Sequence, residues 1–173
     1  AIDFDDWECV ADMDYKMNCV TAHPKVHKLI KSKGCECKLI KPGRRDIVNP
    51  QKLGRKIYGY CPASAPEYHG SLIIQQLRDA GYSIIVGDGT HSQINWRMGL
   101  CNDYYNQAFI GLCLSEFAGG GGSIIDMGLR GMKVVTNVFD LPNCVTWGSV
   151  EDIMLAIEEE SKNIGTVNHA MAE

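Results

Sequence analysis

The sequence predicts an α/β domain built on a doubly wound (Rossmann-like), mainly parallel sheet. Three observations predict it. Runs such as KIYGYC (56–61), YSIIVGDG (82–89) and AFIGLCLS (108–115) are apolar without alternation, which suits strands covered on both faces. These runs alternate with stretches whose apolar residues recur at helical spacing. Glycine-bearing loops follow three of the runs, YGYCPASAPEYHG, VGDGTHS and SEFAGGGGS, and in such sheets ligands bind beyond the carboxyl ends of the strands.

Taken in order, CVTAH (19–23) reads as a short strand. PKVHKLIKSKG (24–34) reads as a helix, with Pro24 in its first turn, Gly34 at its end and Val26, Leu29 and Ile30 on its apolar face. CECKLI (35–40) is the next strand, KPGRRD (41–46) a turn and NPQKLGR (49–55) a connector. KIYGYC leads into a helix predicted over 66–81, with Leu72, Ile73, Gln76, Leu77 and Ala80 at helical spacing and Gly81 as the stop. YSIIVGDG ends in a tight turn. DYYNQAFIGLCLS (103–115) passes from a short helix into a buried strand. Ser123 to Arg130 is a helix, KVVTN a strand and CVTW a strand. SVEDIMLAIEEESKN (149–163) is a helix opened by an acidic capping box, Ser149 with Asp152.

The bulk numbers are those of a globular chain. Its 173 residues are 45% hydrophobic and 22% charged, enough for one domain with a real core. A net charge of −4 argues against a broad nucleic-acid footprint. No run approaches the roughly 18 apolar residues of a membrane span, and the acidic N-terminus lacks the layout of a signal peptide. Eight cysteines are present. Cys35-x-Cys37 is the one close pair, and no second Cys pair or His doublet completes a zinc spacing. Reduced, partly buried thiols in a cytoplasmic protein are the expectation.

The segment AGGGGSIID joins a strand end to a helix start. Four glycines there cost conformational entropy, about 0.5–1 kcal/mol each relative to Ala. Either they make a turn between packed elements, or they let an anion approach the open amides and dipole of the helix. No Gly-Lys-Ser/Thr follows, so the loop is not a Walker loop, and it is not the first βα turn where a dinucleotide fingerprint belongs.

Five segments in this order resemble the donor-binding, C-terminal half of GT-B glycosyltransferases, over about residues 15–165. The nearest likeness is to the retaining group that includes glycogen and sucrose synthases. NCVTAHPKVHKLIKSKGCECKLIKPGRRD looks like the segment leading into the donor half. KIYGYCPASAPEYHG looks like V-G-R-L-x-x-x-K-G, and YSIIVGDG is similar to L-x-I-V-G-x-G. DMGLRGMKVVTN looks like E-A-M-A-x-G-x-P-V-V-A-T, and NCVTWGSVEDIMLAIEEE looks like D-x-x-x-L-A-x-A-I.

The resemblance implies transfer of a sugar from a nucleotide-diphosphate sugar, with the diphosphate on the glycine loop and no metal or other cofactor. Asp126 and His69 are then the candidate catalytic residues. Gly119, Gly120, Gly121, Gly122, Ser123, Asp88 and Tyr60 are the candidate substrate-binding residues. Tyr60 stands where the family has a phosphate-binding Arg, His69 near its Lys, Ala118 at its first Glu and Lys133 at its Pro. His69 is also readable as an ordinary surface histidine, and Asp126 as an ordinary helix-start residue. Trp7, Trp96 and Trp147 read as packing residues. Residues 1–50 would form a connector and the first βαβ elements, leading from an acceptor domain or subunit, and 51–173 the donor-binding domain, the whole making one compact unit. The expected partners are the nucleotide sugar and that acceptor half, without which the chain should transfer little sugar. No transmembrane segment is expected, and any membrane association would come through a partner. A non-catalytic GT-B-like binding or assembly module is the alternative, followed by a different α/β enzyme, such as an epimerase-like or phosphate-binding protein.

Overall fold

The computed structural model describes residues 19–21, 24–39, 49–61, 65–87, 101–115 and 122–169. It divides into two units, Ala1–Gly43 and Arg44–Glu173.

Strand β1 (Cys19–Thr21) pairs in parallel with β2 (Cys37–Leu39), and helix α1 (Pro24–Ser32) connects them. A parallel pair needs such a crossover, because a tight turn cannot reverse the chain twice. Ile30 and Cys37 are buried together, and His27 Nε2 lies 3.1 Å from the Cys37 carbonyl oxygen as its donor. The predicted strand over 35–40 is shorter than expected. Cys35 N–H donates to the Ile30 carbonyl and Gly34 N–H to that of Lys31, so Cys35 closes the helix instead of opening the strand. Cys35 and Cys37 are therefore not an alternating pair on one strand.

The second unit is a five-stranded, wholly parallel sheet flanked by helices, a Rossmann-like α/β fold. Its strands are β3 (Lys56–Tyr60), β4 (Ile84–Gly87), β5 (Ala108–Leu112), β6 (Lys133–Val135) and β7 (Cys144–Val145), in the order β4-β3-β5-β6-β7. Its helices are α2 (Ser71–Asp79), α3 (Cys101–Tyr105), α4 (Gly122–Leu129) and α5 (Val150–Ser161). From the central pair β3/β5 the chain steps one way through α2 to β4 and the other way through α4 to β6. Right-handed crossovers then put α2 and α4 on opposite faces. The contacts agree. A Cβ at Gly59 would meet Ile74 of α2, while the Gly111 side of β5 is filled by Met127 of α4.

All five residues of β5 are buried, which explains its unbroken apolar run. Ile57, Ile110, Leu112, Val134, Leu77, Met127 and Ile153 form the centre of one core. Each fully buried side chain of this kind stabilises the fold by about 1.5–3 kcal/mol. Helices α2 and α4 stop in the same way. Tyr82 N–H reaches back to the Leu77 carbonyl and Met132 N–H to that of Met127, across Gly81 and Gly131 at positive φ. The capping box at α5 is present: Asp152 N–H donates to Ser149 Oγ at 3.2 Å, and Ser149 N–H donates to Asp152 Oδ2 at 2.9 Å.

The helix predicted over 66–81 is corrected. Residues 65–70 form a hydrogen-bonded turn, and α2 begins only at Ser71. Gly70 breaks the helix, with φ 78° and ψ 32° in the left-handed region. The buried stripe is Ile74 and Leu77; Leu72 is 72% exposed, and Gln76 and Ala80 also face solvent. Leu77 and, in part, Ile73 face the core as expected, but Ile74 takes the place of Leu72, Gln76 and Ala80 in the buried stripe.

Candidate functional site

The strand order makes the gap between β3 and β5 the topological switch point, where the two following connections diverge to opposite faces. Tyr60 ends β3 and is half-buried. Cys61 follows it and is buried, its N–H donating to the Gly87 carbonyl at the end of β4 and its thiol to the Pro66 carbonyl at 3.5 Å. That carbonyl also accepts from the Ser71 and His69 N–H groups. The turn 65–70 is thus tied to the strand end it leaves.

Gly70 brings this turn onto β5's own extension. A Cβ at Gly70 would lie 2.8 Å from Leu114 Cβ, so close an approach that only glycine fits. The contact fixes the next residue back, His69. Its ring stands edge-to-face against Tyr60, centroids 5.3 Å apart, and against Tyr68, centroids 5.0 Å apart. His69 Nδ1 is buried and makes no hydrogen bond. Burial lowers the pKa of the imidazole, since the charged form is the one that loses solvation.

Across the gap, Cys113, Leu114 and Ser115 extend β5 and are all buried. Cys113 Sγ and Ser115 Oγ share a hydrogen bond at 3.9 Å. Burial pushes the Cys113 thiol up, against hydrogen bonds to Ser115 and Thr136 that act the other way. The Tyr60 phenol is also pushed up, first by burial and then by the charge of a Cys113 thiolate. Tyr60, Cys61 and Cys113 therefore stay protonated at neutral pH.

Helix α4 opens at Gly122, and both Gly122 and Ser123 are partly exposed. Ser123 lies within the first turn, so its hydroxyl and the first-turn N–H groups, which have no partner within a helix, share one end of α4. Asp126 is different. It is 1% exposed, on the buried side of α4 with Ile124 and Met127. Its carbonyl oxygen accepts from Arg130 Nη1 at 3.1 Å, and Arg130 in turn lies over the Tyr105 ring. Gly119, Gly120, Gly121 and Asp88 lie outside the described residues. So the structure brings Tyr60 and His69 together, keeps Gly122 and Ser123 at a helix start, and buries Asp126.

Several residues here carried no sequence signal. Gly70 looked like an ordinary helix position. Trp147, read as packing, is half-buried against the core, but its indole Nε1 is a second buried nitrogen without a hydrogen bond. The Asn137 side chain, beyond the end of β6, clamps the Trp147 main chain. Nδ2 donates to its carbonyl at 2.8 Å, and Oδ1 accepts from its N–H at 3.0 Å. An Asn ten residues before a Trp has no motif value; the pairing exists because β6 and β7 are adjacent.

Among the described residues, no group of three or more His, Cys, Asp or Glu side chains could hold a metal ion. No helix among them is long and apolar enough to cross a membrane. No family model matches the chain, and no curated protein matches it.

Proposed function

We propose that the chain is the donor-binding half of a glycosyltransferase, holding a nucleotide-diphosphate sugar across the carboxyl edge of the sheet. The observation that carries the reading is the switch point: a wholly parallel sheet whose order reverses at β3/β5, with a glycine loop feeding a helix start beside it. An anion there gains from the amides and dipole of α4. Ser123 donates to a phosphate oxygen, and the turn carrying His69 forms the opposite wall. Stabilising charge that develops on the leaving diphosphate is the chemical task of this edge. An acceptor half supplies orientation and exclusion of water.

The burial of Asp126 favours a second reading, a GT-B-like module that binds nucleotide sugar without catalysis. A carboxylate 1% exposed meets a sugar hydroxyl only if α4's surroundings open. A thermal-shift panel of nucleotide sugars tests the shared part of both readings, because a ligand at a hundred times its Kd stabilises by about 2.7 kcal/mol. Ser123→Ala should weaken the binding about tenfold, the worth of a hydrogen bond to a charged group. No shift with any nucleotide sugar at millimolar concentration would remove both readings. Asp126→Asn divides them: with an acceptor partner present, lost transfer at unchanged melting temperature supports the transferase, and no transfer by wild type supports the module.

A further inference from the structure

We infer that His69 takes a phosphate oxygen at Nδ1 together with one proton, so that anion binding at the carboxyl edge is proton-coupled. The inference rests on the nucleotide-sugar reading of this edge and names how the site is regulated. Its ground is geometric. Nδ1 is a buried nitrogen with no hydrogen bond among the described residues, and buried polar groups without partners are uncommon enough to need a reason; like the Asp126 carboxylate, it meets a ligand only when its surroundings open. The turn that carries it is fixed by the left-handed Gly70 against Leu114 and by the Pro66 carbonyl. That turn sits at the switch point, where ligands of such sheets bind.

The ring's neighbours suit both protonation states. Tyr60 from β3 and Tyr68 from the same turn stand at right angles to it, with centroids 5.3 and 5.0 Å away. Cys61 at the end of β3 has its thiol on Pro66, and burial pushes that thiol up, so it carries no charge at neutral pH. Tyr60 is held neutral in the same way. Leu114 is the contact from β5, and Glu67 of the turn is exposed. Burial lowers the imidazole's affinity for protons.

The free ring is therefore neutral at pH 7. An oxyanion placed against Nδ1 favours the imidazolium, in which both nitrogens carry N–H. One proton enters from solvent, one N–H bond forms, and no other bond breaks. The sign follows. Binding raises a pKa that starts below 6.5, so affinity increases as pH falls between the complex's value and the free ring's. The increase is at most about tenfold per pH unit, the limit for a single proton.

The test follows the His69 ring by NMR in the full chain, its signal assigned by absence in His69→Asn. It is titrated alone, with inorganic pyrophosphate and with a nucleotide sugar, whose bridging diphosphate has no titration of its own near pH 6–7. Asn places an amide near Nδ1 but cannot be protonated. We expect a free midpoint below the ordinary histidine value and a rise of about one pH unit or more with pyrophosphate. Nucleotide-sugar affinity should rise as pH falls in wild type and stay flat in His69→Asn, with equal melting temperatures at pH 8. If pyrophosphate raises the midpoint and no nucleotide sugar binds, the proton-coupled site stands and the donor reading fails. If nucleotide sugar binds with the His69 titration unchanged, the donor reading stands and the inference is overturned. An unchanged titration with both probes overturns it as well, as does a pH dependence that survives in His69→Asn.

Discussion

The two edges of the second unit's sheet are built to different standards. At the amino edge, polar groups are tied off. Lys133 Nζ meets the Glu160 carboxylate at 2.6 Å, and Asn163 Nδ2 donates to the other oxygen at 3.0 Å. Gln51 Nε2 donates to the Tyr105 carbonyl, and Lys56 Nζ to Gln107 Oε1. The segment after α5 returns to pair with the connector before β3: Leu53 N–H donates to the Thr166 carbonyl and Gly165 N–H to that of Leu53. At the carboxyl edge the α5 capping box and the Asn137 clamp are satisfied, but His69 Nδ1 and Trp147 Nε1 are buried without partners. A left-handed glycine holds one of them in place. Among the described residues, one edge closes the fold, and the other leaves hydrogen-bonding capacity unspent.

On this contrast, the amino edge should carry stability and no binding. Lys133→Ala leaves Glu160, 3% exposed, without its cation. Breaking such a pair costs about 3–5 kcal/mol when both members are buried. Lys133 is partly exposed, so about 2–3 kcal/mol is expected, read by urea unfolding, with nucleotide-sugar affinity unchanged. A Lys133→Met, Glu160→Leu double variant should recover most of the loss, because an apolar pair of similar size avoids the desolvation of two charges. Loss of ligand affinity in either variant would dissolve the contrast.

Gly70→Ala sharpens it from the other side. A side chain at φ 78° costs about 1–3 kcal/mol, and its Cβ presses on Leu114. The expected loss of stability is comparable to that of Lys133→Ala, read in the same urea titration. Unlike Lys133→Ala, this variant should also weaken diphosphate binding, because the turn that holds His69 must shift. Retained affinity would show that the turn's position does not matter to the ligand.

The smallest effect belongs to Trp147→Phe. The variant removes a donor that has no acceptor and keeps most of the ring. Relief of an unpaired buried N–H, about 1–3 kcal/mol, offsets the lost apolar area, so stability should change by less than about 1 kcal/mol. A loss of 2 kcal/mol or more in the same urea titration would mean that the indole nitrogen is not idle in the free protein.

The secondary structure was legible in the residues because its signals are local. Pro24, Gly34, Gly81 and the Ser149–Asp152 box mark helix ends through bonds that span at most five positions. The central strand β5 could be placed because burial on both faces leaves no polar alternation. The helix start at Ser71 was misplaced because PEYH is itself compatible with a helix; only the approach of Gly70 to Leu114, 44 positions away, forces the left-handed break. Strand order, and with it the switch point at β3/β5, depends on which runs neighbour each other, and no residue within a strand encodes that. The same holds for the site. Ser123 at a helix start was readable from the glycines before it. The orphaned nitrogens of His69 and Trp147, and the burial of Asp126 on the inner side of α4, were not. Partnering and burial are properties of what packs around a side chain, and the tertiary structure alone decides them.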